Sequence, residues 1–81
     1  MKQERTIGRI ISCRYKSTSR DGNPSYWVKF QDSEGSVSVG YTATDASCGY
    51  GCENFINRVA EICHHTTKRG NIIIDYINKP N

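Results

Sequence analysis

Apolar and polar side chains alternate along the first half of the chain. From Thr6 to Lys16, Ile7, Ile11, Cys13 and Tyr15 recur at even spacing, Ile10 falls on the other face, and Arg9 interrupts. Gly8 inside that run predicts a bend or bulge in one long first strand. Ser17 to Pro24 is a loop, because Asp21-Gly22 and Asn23-Pro24 are strong turn dipeptides. Ser25 to Gln31 is the clearest strand: Tyr26, Val28 and Phe30 share one face, and Trp27, Lys29 and Gln31 the other. Asp32 to Gly35 makes a short hairpin turn. Ser36 to Thr42 then alternates Val37, Val39 and Tyr41 against Ser36, Ser38, Gly40 and Thr42, and the small polar set reads as the outer face.

The period changes after the stretch Tyr41 to Phe55. Thr44 or Asp45 can cap a short turn near Ala46, while Gly49 and Gly51 oppose a continuous helix through Cys48. From Cys52 to Thr67 the apolar residues Cys52, Phe55, Ile56, Val59, Ile62, Cys63 and Thr66 stand three and four apart, which predicts one amphipathic helix. Glu53 near its start and Lys68 and Arg69 near its end suit the helix dipole, and Gly70 suits the residue after the last turn. Asn71 to Asn78 is a last strand rich in isoleucine, read as buried on both sides, and Lys79 to Asn81 is a tail.

The predicted class is therefore α+β, with one helix in the order β-β-β-α-β. Two architectures fit. One is a small barrel of the oligonucleotide/oligosaccharide-binding (OB) type, with a helix after the third strand. Its fifth strand would have to come from Thr44 to Tyr50 or from a split of the first strand. The other is an open antiparallel sheet with the helix across one face. With 81 residues, the chain is one domain spanning residues 1–81.

Charge sharpens this picture. The net value is +3, but residues 1–30 carry seven basic and two acidic groups, whereas residues 31–62 carry one basic and five acidic. A molecule so polarised can attract phosphate on one face. If Tyr26, Val28 and Phe30 are core, Trp27 and Lys29 point outward, and Arg14 and Lys16 lie on the outward face of the neighbouring strand. An indole beside three cations is what a platform for single-stranded nucleic acid requires: bases stack on the ring and cations follow the phosphates. The competing interpretation is a Trp27 packed under a loop and cations that are merely solvated.

Other chemistry finds less support. Cys48, Cys52 and Cys63-His64-His65 have zinc-ligand character, but on a helix Cys52 and Cys63 are about 16 Å apart and adjacent histidines diverge. Cys13, Cys52 and Cys63 read instead as small buried hydrophobes, with a Cys48–Cys52 disulfide as an alternative. No phosphate loop, dinucleotide fingerprint or paired-carboxylate pattern is present, so an enzyme is not expected, nor is a cofactor. No apolar run is long enough to span a membrane and the N-terminus has no secretory h-region, which predicts a cytoplasmic protein with reduced thiols.

The segments Gly8-Arg9-Ile10, Asp21 to Phe30, and Thr42 to Ser47 with Tyr50 and Asn54, together within residues 6–55, resemble small uncharacterised proteins carried by phages and related mobile elements. The resemblance implies a phage or prophage origin and a barrel-like sheet, and brings no activity with it. The expected function is a non-enzymatic module that binds single-stranded nucleic acid through Arg14, Lys16, Trp27 and Lys29. The alternative is a protein-binding module that inhibits a host or defence complex. Its interface would be the acidic middle of the chain or the Tyr41–Phe55 joint, where Cys48 and Tyr50 are the candidate contacts. Monomer and weak homodimer both remain open, because an exposed edge strand can pair two copies.

Overall fold

The computed structural model describes residues 3–18, 20, 22, 24–43 and 52–79. Five strands account for most of them: β1 (Glu4–Thr18), β2 (Pro24–Asp32), β3 (Val37–Thr42), β4 (Val59–Thr66) and β5 (Ile72–Asn78). They close into a barrel in the order β1-β2-β3-β5-β4, so each strand has a hydrogen-bonded neighbour on both sides. The β3–β5 pair is parallel and the other four are antiparallel. Such a five-stranded barrel is compatible with an OB-like fold.

The predicted α+β class is overturned: the described residues form an all-β barrel without an α-helix. Helical structure there is confined to one 3-10 turn, Cys52–Phe55, closed at Asn57 by a positive φ of 66°. The stretch read as the second half of a helix is β4, which supplies the missing fifth strand. Two periods coexist in Val59–Thr66. Its three-and-four stripe is real, but Ala60, Ile62 and His64 also stand two apart, and these three, together with Cys63, are the residues buried in this strand. Valine, isoleucine, cysteine, histidine and threonine are weak helix formers, and the β-branched ones among them favour strands. Tertiary pairing on both sides therefore decides the outcome: Gly8 to Glu4 of β1 run opposite Ala60 to His64, and β5 flanks the other side.

Two further expectations are corrected. In β1 the inward residues are Gly8 and Ile10, and Ile7 and Ile11 are exposed. A register shift between Ile10 and Ser12 places Ile11 in a bulge, so the phase flips and Cys13, opposite Val28, faces the core instead. A second shift lies between Tyr15 and Ser17. The predicted interruption at Gly8 has another cause. A methyl group there would run into the Gln31 carbonyl oxygen, so glycine permits β1 and β2 to close. In β3 the faces are exchanged: Val37 and Val39 are about half exposed, while Gly40 and Thr42 are buried.

The reason for that exchange is the hairpin. Asp32 N–H donates to Ser36 O and Gly35 N–H to Asp32 O, with Gly35 at φ 91°, so the loop is three residues long, Ser33 to Gly35. Asp32 Oδ1 accepts from the N–H groups of Glu34 and Ser36, which holds the turn. An odd loop pairs odd-numbered residues with odd: Gln31 with Val37, Lys29 with Val39, Trp27 with Tyr41. Directly opposed residues share a face, so the β3 valines follow Trp27 outward.

The core is small. Ile10, Val28, Phe30, Ala60, Ile62 and Ile74 are buried, and Cys13, Tyr26, Phe55, Ile56, Ile72 and Ile77 pack around them. Only Ile74 of β5 is fully buried, so this strand is not covered on both sides as its composition predicted. The buried polar groups are largely engaged. Ser25 Oγ donates to Thr42 O at 2.8 Å, and Tyr26 N–H to Thr42 Oγ1 at 3.0 Å. His64 Nε2 lies 2.8 Å from Thr6 Oγ1, while its Nδ1 has no partner among the described residues.

Gly40 generates a prediction. A Cβ there would lie 2.8 Å from the Ile72 carbonyl oxygen and 2.9 Å from Ile72 Cγ2, and backbone cannot step aside. Gly40→Ala is expected to destabilise the fold by about 2 kcal/mol through overpacking. A lowered midpoint in urea denaturation checks this, and an unchanged midpoint contradicts it.

Candidate functional site

The outer face of β1, β2 and β3 collects the residues singled out from the sequence. Arg14 stands opposite Trp27, and Trp27 opposite Tyr41, so these three form one row across the strands. The next row is Ser12, Lys29 and Val39. Ser12, Arg14, Trp27, Lys29 and Val39 together line a depression of about 310 Å³. Lys16 comes to the same place from the second bulge of β1. Its Nζ lies 5.6 Å from the Trp27 ring centroid and 5.0 Å from that of Tyr41. All four predicted residues are therefore brought together.

Trp27 is 42% exposed, too open for a core residue. It meets Tyr41 edge to face, with centroids 5.3 Å apart and planes at 79°. That geometry fixes both rings without covering the indole, and an ammonium over both π-faces adds a cation–π attraction. The result is an aromatic surface held by its own neighbours and bordered by cations. No ion pair among the described residues engages Arg14, Lys16 or Lys29.

Tyr41, Val37 and Val39 are the members of this face that sequence reasoning missed. The signal was present in the loop: Ser33 to Gly35, with glycine last, specifies three residues, hence odd-with-odd pairing. Lys68 and Arg69 also belong near this end. They sit in the β4–β5 turn, exposed, just before Ile72 meets Gly40. Cys48 and Tyr50, the other candidate contacts, lie outside the described residues.

The opposite side of the barrel has different chemistry. Arg5 Nη1 lies 3.8 Å from Glu61 Oε2, and His65 Nδ1 is 3.0 Å from Asp75 Oδ2, which also accepts from Gln3 Nε2 at 3.2 Å. On a strand, His64 and His65 point to opposite faces, so the pair cannot converge on one ion. Among the described residues no three His, Cys, Asp or Glu side chains are grouped to hold a metal. Among them, too, no helix is long and apolar enough to cross a membrane.

Cys63 is buried, and its Sγ is 3.8 Å from Glu61 Oε1. Burial pushes its thiol above the usual range, and the Glu61 carboxylate beside it adds to the shift. The thiol is thus protonated at neutral pH and a poor nucleophile. In the folded protein, iodoacetamide at neutral pH should modify Cys63 at least roughly tenfold more slowly than in the denatured chain. Peptide mapping by mass spectrometry reads this directly, and equal rates contradict it.

Comparisons of the chain with protein-family models, with curated proteins and with solved structures find no match to any of the three.

Proposed function

We propose that the outer face of β1, β2 and β3 binds single-stranded nucleic acid. The observation that carries this reading is the open Trp27–Tyr41 pair, framed by Lys16, Arg14 and Lys29 on one barrel face. Bases of any identity have a π-face to stack on an indole, and each stack contributes about 1–3 kcal/mol. The cations neutralise phosphates and release counterions, which is the general source of affinity for such polymers. OB-type barrels present the same region, the face of their second and third strands with the loop between the fourth and fifth. Lys68 and Arg69 occupy that loop here. On this reading the protein is a non-catalytic cytoplasmic module of the kind small phage genomes supply.

One observation favours a protein partner instead. Val37 and Val39 are 52% and 50% exposed and extend the aromatic pair into an apolar strip. Trp27 and Tyr41 beside it are the residue types that anchor protein hot spots. Recovery of a partner from bacterial lysate that survives nuclease treatment would support this second reading.

Anisotropy titration of a labelled oligothymidylate tests the first. Wild-type protein should bind with a marked salt dependence. Trp27→Ala should weaken binding by about fivefold to 150-fold, the loss of one stack. Arg14→Gln with Lys29→Gln should make the slope of log K against log salt shallower by about 1.4. Absence of binding at low salt, or binding indifferent to salt, rejects the reading.

A further inference from the structure

We infer that the nucleic-acid track does not end at Lys29 but continues across β1 to a second anchor built by Phe55, Arg58 and Lys79. This rests on the reading of the Trp27 face as a single-strand site, and it assigns that site a longer footprint with two anchors.

Three depressions succeed one another on the surface. The first is that of Arg14, Trp27 and Lys29. The second, about 240 Å³, is lined by Arg9, Gln31 and Val59, among others. The third, about 360 Å³, is lined by Asn54, Phe55, Arg58, Val59 and Lys79. Strand register joins them. Gln31 follows Lys29 on the same face of β2, Arg9 stands opposite Gln31, and Val59 opposite Arg9. Val59 is shared by the second and third depressions. From Trp27 to Gln31 is about 13 Å along β2, and from β2 across β1 to β4 is about 10 Å.

The backbone holds the far anchor in place. Ile10 N–H donates to Arg58 O at 3.0 Å and Asn57 N–H to Ile10 O at 2.7 Å, which ties Arg58 to β1 beside Arg9. Arg58 N–H donates to Phe55 O at 2.9 Å, closing the turn that presents the phenyl ring. Phe55 is half-buried against the core, so its position is set by packing.

Charge selects the occupant. Arg9, Arg58 and Lys79 are exposed, and none forms an ion pair among the described residues. Among the described residues the one carboxylate lining the path is Asp32, whose Oδ1 already accepts two backbone N–H groups of the hairpin. A row of unpaired cations between two aromatic stations suits a flexible polyanion with π-faces. A duplex, with its bases already stacked, offers no ring to either station.

The test uses the full chain and oligothymidylates of about 4 and about 12 nucleotides, within the range of site sizes for one such barrel. Wild-type protein should bind the longer oligomer more tightly than added copies of a short site explain. Arg58→Gln with Lys79→Gln should lower affinity for the longer oligomer roughly tenfold and make its salt slope shallower by about 1.4, with the shorter unaffected. Arg9→Gln should shift both readouts for the longer oligomer the same way, by about half that slope change. All these charges are exposed, and circular dichroism checks that the barrel is retained. If wild-type binds but the double variant keeps its affinity and slope, or loses both oligomers equally, the extended track is wrong and the Trp27 site stands. If wild-type binds neither oligomer, the underlying reading fails and the track falls with it.

Discussion

Closure of the barrel depends on a short parallel contact. Gly40, Tyr41 and Thr42 of β3 meet Ile72, Ile73 and Ile74 of β5, and only three residue pairs make the seam. Ala43 N–H adds one bond to Ile74 O at 3.0 Å beyond it. The seam exists because Gly40 has no side chain where Ile72 backbone passes. Without it the meander of β1, β2 and β3 would be an open sheet. Open, that sheet would expose Val28 and Phe30, and a chain this small has few other apolar groups to bury. The hairpin parity that puts Gly40 and Thr42 at the inward positions of this seam leaves Tyr41 between them facing outward.

The candidate site follows from the same constraint. A barrel uses one face of each strand for its core, and its outer face is left to solvent or a ligand. Here that outer face carries an indole, a phenol and two valines where small polar residues would suffice for solubility. Large apolar side chains held outward on paired strands form an exposed apolar strip, the kind of surface feature that marks interaction sites. On the proposed reading, their cationic border selects an anionic partner. Among the described acidic residues, Glu61 lies beside Arg5, Asp75 beside His65, and Asp32 is bound into the hairpin.

Much of the candidate site is legible in the residues themselves. Ser25 to Gln31 alternates so regularly that Trp27 and Lys29 had to oppose Val28 and Phe30. Arg14 and Lys16 were placed beside them by the same logic, and the structure brings all four together. Hydrophobicity alone reads Tyr41, Val37 and Val39 as inward, whereas the parity of the three-residue hairpin turns them outward. In β1 a similar error came from bulges. A bulge shifts the inward phase by one residue and leaves no mark in a count of alternating positions.

The sequence by itself determined the three-stranded meander, the hairpin turn at Asp32 to Gly35, the outward direction of Trp27 and Lys29, and the polarised charge. These are local properties: alternation, turn dipeptides and composition act within a few residues. Only the tertiary structure decided the state of Val59–Thr66. That segment satisfies a helical and a strand period at once, and its choice turns on hydrogen bonds to β1, far away in the chain, as well as to β5 across the next turn. Its neighbours in space, Glu4 to Arg9 and Ile72 to Asn78, complete a ring that no window of sequence contains. Closing that ring also brought Arg9, Arg58 and Lys79 onto one surface, although they are distant in the chain.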